Sequence, residues 1–127
     1  RIIDFDLKKN DRIPYEGVLH LDCTFNPVGK DKCIIYKNGF VDINDYSLIV
    51  DIFGTENIFE VNDEEMFGMN PNVFSISPEV VVSDETFVRM NNHLRNEWGL
   101  TVEEIPYREI SKMGGLLRCS TMPLVRE

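Results

Sequence analysis

The chain has 127 residues, with 13 basic side chains against 22 acidic ones and a net charge of −9. That length makes one domain with a real core, and the charge repels phosphate backbones and anionic membranes while welcoming a cationic ligand. No basic run or aromatic-basic interleaving offsets it, so neither nucleic acid nor a membrane is expected as a partner. An apolar fraction of 43% and a charged fraction of 28% are those of an ordinary globular protein. Cys23, Cys33 and Cys119 are an odd set without paired spacing. They suggest neither a disulfide framework nor a zinc knuckle, and fit a reducing, cytoplasmic setting. No stretch approaches the length of a membrane span or the form of a signal peptide. The chain begins at Arg1 with strand-like residues at once, and the expectation is a piece of something longer.

In chain order, Ile3, Phe5 and Leu7 alternate weakly and predict a short strand over Arg1 to Asp6, followed by a charged loop from Lys8 to Arg12 that Pro14 and Gly17 extend. Val18 to Phe25 is rich in β-formers and reads as a strand, with His20 and Asp22 on one face and Leu19, Leu21 and Cys23 on the other. Cys33 to Tyr36 predicts a second strand, closed by the turn signal Asn38-Gly39. Tyr46, Ile49, Val50 and Phe53 recur at helical spacing between a cap at Asn44 or Asp45 and a stop at Gly54. Asn57 to Val61 reads as a strand and Asp63 to Gly68 as a short helix with an acidic first turn.

Val73 to Ile76 and Val80 to Val82 predict two strands around a Pro78-Glu79 turn. Ser83 to Trp98 predicts the longest helix, capped by Ser83, with Phe87, Met90 or Asn91, Leu94 and Trp98 as its apolar face and His93 solvated on its polar side. Thr101 to Ile105 is a strand ended by Pro106, and a terminal strand is expected to carry Cys119. The order strand, strand, helix, strand therefore occurs twice, a repeated unit of roughly forty residues that cannot bury its apolar face alone.

Cys119 follows two glycines, Gly114 and Gly115, and sits beside Arg118. Such a backbone can turn tightly and place a thiol at the mouth of a cleft, which makes Cys119 a candidate nucleophile. His20 supplies an imidazole that can activate a thiolate, and Asp22 a carboxylate that can orient that imidazole or hold a cationic group in bidentate fashion. A buried core cysteine and a structural strand histidine are the plain alternatives.

These residues stand in an order that resembles one known group. His20-Leu21-Asp22 with Phe25 and Pro27-Val28-Gly29, Asn72-Val73 ahead of Pro78 to Val82, Asn91-Asn92, and the closing run from Gly114 to Pro123 resemble the C-terminal part of the guanidine-modifying (pentein) superfamily. That group contains arginine deiminases, dimethylarginine dimethylaminohydrolases and arginine:glycine amidinotransferases. The resemblance runs from about Val18 to Pro123.

The resemblance implies an α/β fold, a propeller of about five strand-strand-helix-strand units, of which residues 1–127 would supply two and the closing strand as a single C-terminal portion. It implies a reaction in which Cys119 attacks a guanidinium carbon and an S-alkylthiouronium intermediate passes to water or to an acceptor amine. His20 would be the general acid and then the general base, Asp22 would bind the guanidinium, and Arg118 and Ser120 would shape the substrate site; no cofactor or metal is called for. The substrate would be a small cationic guanidino or ureido compound.

Members of the group carry further carboxylates in their N-terminal half, and no motif for them occurs here. The missing units are expected from the same longer chain or from a homo-oligomeric partner, and this chain alone is expected to be inactive. Two alternatives stay open: a non-catalytic propeller fragment serving binding or assembly, and an unrelated Cys-His hydrolase. The sequence does not choose between hydrolysis and amidino transfer.

Overall fold

The computed structural model describes residues 2–10, 12–13, 17–122 and 124, so Arg1, Pro14 and Pro123 lie outside the described residues. Two three-stranded sheets are built to one plan. In the first, β1 (Phe25–Val28) runs antiparallel to β2 (Lys32–Ile35), α1 (Ile43–Phe53) crosses over, and β3 (Ile58–Glu60) returns parallel to β2. In the second, β4 (Phe74–Ser75) is antiparallel to β5 (Val80–Asp84), α3 (Val88–Asn96) crosses over, and β6 (Thr101–Ile105) lies parallel to β5. Helix α2 (Asp63–Phe67) joins the units and α4 (Arg108–Ser111) follows the second. The repeated unit expected from the sequence is thus present twice.

The middle strand β2 shows why the layers stack as they do. It is almost wholly buried, and successive side chains of a strand point to opposite faces. Cys33 and Ile35 pack with Phe40, Ile49 and Phe53 on the α1 side, whereas Ile34 joins a larger cluster with Val73, Val81, Met90, Leu94, Leu116 and Leu117. That larger cluster draws on both units and on the segment leading to Cys119. At its surface Arg89 pairs with Glu65, donates to the Glu60 carbonyl at 2.9 Å and lies over the Phe59 ring, which joins α3 to α2 and β3.

Several expectations need correction. Residues 18–24 are not a strand: Leu21–Cys23 form a 3₁₀ turn, and the strand starts at Phe25. The Lys9 ammonium holds the carbonyls of Val18 and Leu19, groups a ladder would otherwise use. Pro27 is tolerated inside β1 because β1 is an edge strand and loses no ladder donor there. The N-terminal strand reduces to one bridge, Leu7 to Phe40; Phe5 instead packs edge-on against Phe25 and Phe40. Helix α1 is capped by Asp42, whose side chain accepts from the Asn44 amide at 2.8 Å, rather than by Asn44 or Asp45.

Ser83 and Asp84 belong to β5 and are fully buried, so the N-cap of α3 is Phe87, four residues beyond the cap-like Ser83. Ser83 Oγ donates to Asn91 Oδ1 at 2.6 Å. Asp84 accepts from the amides of Thr86 and Tyr107 at 2.9 and 2.8 Å. Burial pushes that carboxyl up, and its donors from Thr86, Tyr107 and Arg108 outweigh burial and hold it below the usual carboxylate range. The chain near Cys119 forms turns in place of a closing strand.

His93 is not solvated. Its ring lies 4.8 Å from Phe59 and 4.9 Å from Trp98, and its buried Nε2 has no hydrogen-bond partner among the described residues. Burial lowers its pKa, the nearby Arg89 lowers it further, and Glu97 offsets part of that. A histidine held neutral in this way contributes stability that is intact above its unfolded pKa of about 6.5 and is lost as pH falls toward the lower folded value. Thermal melts across that range are expected to show a fall below about pH 6.5 that His93→Phe removes. Parallel pH curves for the two proteins would contradict it.

Candidate active site

The three thiols differ sharply in setting. Cys23 and Cys33 are buried, and burial first of all pushes them up to about 11 and about 12. Cys119 is exposed. It sits on a turn over residues 117–120 that hangs from Leu116 and Leu117, which are 0% and 5% exposed in the larger core cluster. The Ser120 amide donates to the Leu116 carbonyl at 3.0 Å and the Ser120 hydroxyl to the same carbonyl at 2.6 Å. Gly114 takes the left-handed region at φ +88°, and a Cβ on Gly115 would stand 2.7 Å from Cys119 Cβ. The first glycine permits the turn and the second leaves room for the cysteine.

His20 and Asp22 reach the same place from the 3₁₀ turn. His20 is extended, at φ −138°, and its carbonyl accepts from the Cys23 amide at 3.1 Å; the buried Cys23 side chain anchors that turn in the core. The turn leaves His20 exposed and Asp22 half-buried. Cys119 Sγ donates to Asp22 Oδ2 at 3.4 Å, across 97 residues of sequence. One donor atom each from His20, Asp22 and Cys119 lies within 4.8 Å of the others. This set could hold a divalent cation, and it equally provides a nucleophile, a proton carrier and a carboxylate in hydrogen-bonding range of one small ligand.

Of the five residues singled out in the sequence, His20, Asp22 and Cys119 converge directly. Arg118 lines a groove of about 520 Å³ together with His20, Asp22, Phe25 and Pro27. The Ser120 hydroxyl closes the turn that carries Cys119.

One residue of the site was quoted in the sequence only as part of a motif. Asn72 is fully buried, its Oδ1 accepts from the amides of Leu116 and Cys119 at 3.0 and 3.2 Å, and its Nδ2 donates to Cys119 Sγ at 3.2 Å. An asparagine between Pro71 and Val73 reads as a turn former, and no local signal shows that it reaches a cysteine 47 residues away.

A family model described as arginine deiminase matches residues 39–126. Among curated proteins, the chain is 32% identical over 112 residues to the uncharacterised protein YkgA of Bacillus subtilis, covering 88% of this chain and 37% of that protein. It is 39% identical over 67 residues to the arginine deiminase of Latilactobacillus sakei, covering 53% of this chain and 16% of the enzyme. The chain therefore spans little more than a third of the first relative and less of the second.

Among solved structures, the product-bound N-terminal domain of ArgZ, described as an arginine dihydrolase of the cyanobacterial ornithine-ammonia cycle, matches with a TM-score of 0.75 at 22% identity. That match covers 84% of this chain and 38% of that one. SxtG, described as an amidinotransferase from Microseira wollei, matches with a TM-score of 0.67 at 21% identity, covering 87% and 32%. At these identities the structural likeness concerns the fold. With residues 39–126, more than half of its length, matched by the family model, the chain belongs to the arginine deiminase family within the guanidine-modifying superfamily.

Proposed function

We propose that this chain is the cysteine-bearing, C-terminal portion of an enzyme that acts on arginine or a related guanidino compound through a covalent intermediate on Cys119. The observation that supports this reading most is the meeting of Cys119 Sγ, Asp22 and His20 from two loops far apart in sequence. The net charge of −9 adds a long-range attraction for a cationic substrate.

In this reading the thiol passes its proton to His20, giving a thiolate and an imidazolium. Asp22 exchanges its thiol hydrogen bond for a bidentate contact with two guanidinium nitrogens, which sets the carbon in front of Sγ. A C–S bond forms, the imidazolium protonates one nitrogen, and the C–N bond breaks to release ammonia or an amine. His20 then takes a proton from water as the water oxygen bonds to the carbon; the C–S bond breaks, the thiolate and imidazolium are restored, and the product gives its extra proton to solvent, where the released ammonia or amine takes it up, leaving a neutral ureido group. An acceptor amine in place of water would give amidino transfer.

Arg118 forms a wall of the groove beside His20 and Asp22, and Ser120 keeps the Cys119 turn closed. Asp22 is one carboxylate, and a guanidinium held on one side is poorly aimed. The other carboxylates would come from parts of the family's length that this chain does not span, within a propeller to which it gives two of five units, or from a second copy.

Kinetics on the full protein containing this chain test the reading. Cys119→Ala is expected to abolish turnover and His20→Ala to lower kcat by roughly 10²- to 10⁴-fold; turnover retained by Cys119→Ala would contradict Cys119 as the nucleophile, and no turnover of any guanidino compound by the parent protein would favour a binding or assembly role. The isolated 127-residue chain is expected to show no turnover, and an ordinary rate from it would show that no further carboxylates are needed. Gly115→Ala pushes on Cys119 Cβ and is expected to lower kcat by up to about 100-fold. A folded Gly115→Ala protein with unchanged kcat would contradict the placement of the thiol.

A further inference from the structure

Both polar atoms of the Asn72 side chain, and its backbone carbonyl, bond the two loops that carry His20, Asp22 and Cys119, while its own amide donates to the Met69 carbonyl at 2.9 Å. Its Oδ1 receives the amides of Leu116 and Cys119, its Nδ2 points to Cys119 Sγ at 3.2 Å and to the Asp22 carbonyl at 3.5 Å, and its own carbonyl accepts the Arg118 amide at 3.1 Å. The segment that holds Asn72 is itself fixed. Asn26, only 6% exposed on β1, donates from Nδ2 to the carbonyls on either side of Asn72, to Pro71 at 2.6 Å and to Val73 at 2.9 Å. Val73 is fully buried against the larger core cluster. The amide of Asn72 is therefore a rigid bracket, and the turn over residues 117–120, which has no ladder of its own, takes its position from it.

We propose that Asn72 is a positioning residue for Cys119: it fixes the backbone of the cysteine turn through Oδ1 and aims the sulfur through an Nδ2 hydrogen bond that favours the thiolate. This rests on the reading of Cys119 as the nucleophile. A structural asparagine would need only the Oδ1 contacts; the donor to sulfur is what a nucleophile uses, because a hydrogen bond to the charged form stabilises it. The sulfur thus lies between a donor that holds the thiolate, Asn72, and an acceptor that holds the thiol, Asp22. A cation bound to Asp22 removes the second influence and leaves the first.

Asn72→Asp separates the two roles, since it keeps the oxygen that accepts both amides and replaces the donor at sulfur with a carboxylate oxygen. Iodoacetamide alkylation of Cys119 in the full protein, followed by peptide mass spectrometry across a pH series, reads the sulfur directly and needs no turnover. The expected result is a profile displaced to higher pH by about one unit or more, which is about tenfold slower alkylation at neutral pH, with kcat lowered and KM little changed. A folded Asn72→Asp protein whose alkylation profile matches the parent would overturn the proposal.

Should that variant fail to fold, amide hydrogen exchange on the parent protein decides the bracket. The Leu116 and Cys119 amides are expected to exchange slowly although they lie outside any helix or strand, and rapid exchange at both would overturn it. If alkylation and exchange behave as stated while Cys119→Ala keeps its activity, Asn72 positions a thiol that is not the nucleophile. In that case the proposed function fails, and the bracket stands as geometry alone.

Discussion

The buried amide of Asn72 is the point on which the geometry of this site depends. A cysteine on a short turn at the surface has few means of holding a fixed direction, because turns lack the repeated hydrogen bonds of helices and strands. Here the turn is tied at two depths. Leu116 and Leu117 sink into a core assembled from both structural units, and Asn72 takes the amides of Leu116, just before the turn, and of Cys119 within it into one carbonyl oxygen. The loop that carries His20 and Asp22 is held in the same way by a buried neighbour, Cys23. Two exposed reactive loops are thus each rooted in one shared core, so that separation of the two units would disperse the site.

Burial also sorts the thiols. Cys23 lies beside the same carboxylate as Cys119, with Cys23 Sγ 3.8 Å from Asp22 Oδ1. It is enclosed and pushed up to about 11, first by desolvation and further by the Asp22 charge. Of these three thiols, Cys119 is the one that water and a ligand can reach. Cys33, on the buried strand β2, is an apolar core residue in all but name.

Much of the framework could be read along the chain because the signals were local. The β-branched runs at Cys33 to Ile35 and Val80 to Val82, the helical spacing of Tyr46, Ile49 and Phe53, and the repeated unit they form all follow from side-chain periodicity. The structure departs from local signals where a distant group competes for the backbone. Lys9 takes the carbonyls of Val18 and Leu19, and Ser83 and Asp84 serve as buried strand residues with partners at Asn91 and Tyr107 instead of as a helix cap. The terminal strand expected to carry Cys119 is a turn, anchored by the burial of Leu116 and Leu117. His20, Asp22 and Cys119 could be named because their residue types and motif order are informative. Asn72 could not be given a role, since its function lies wholly in contacts to residues 44 to 50 positions away.

The central claim is a covalent bond between Cys119 and the substrate's guanidinium carbon. Acid-quenched intact-mass and peptide mass spectrometry of the full protein mixed with arginine tests it most directly. The account predicts an amidino-type adduct confined to the peptide bearing Cys119, formed within the turnover time and absent from Cys119→Ala. Turnover that proceeds with no adduct at Cys119, or with the adduct on another residue, would contradict it.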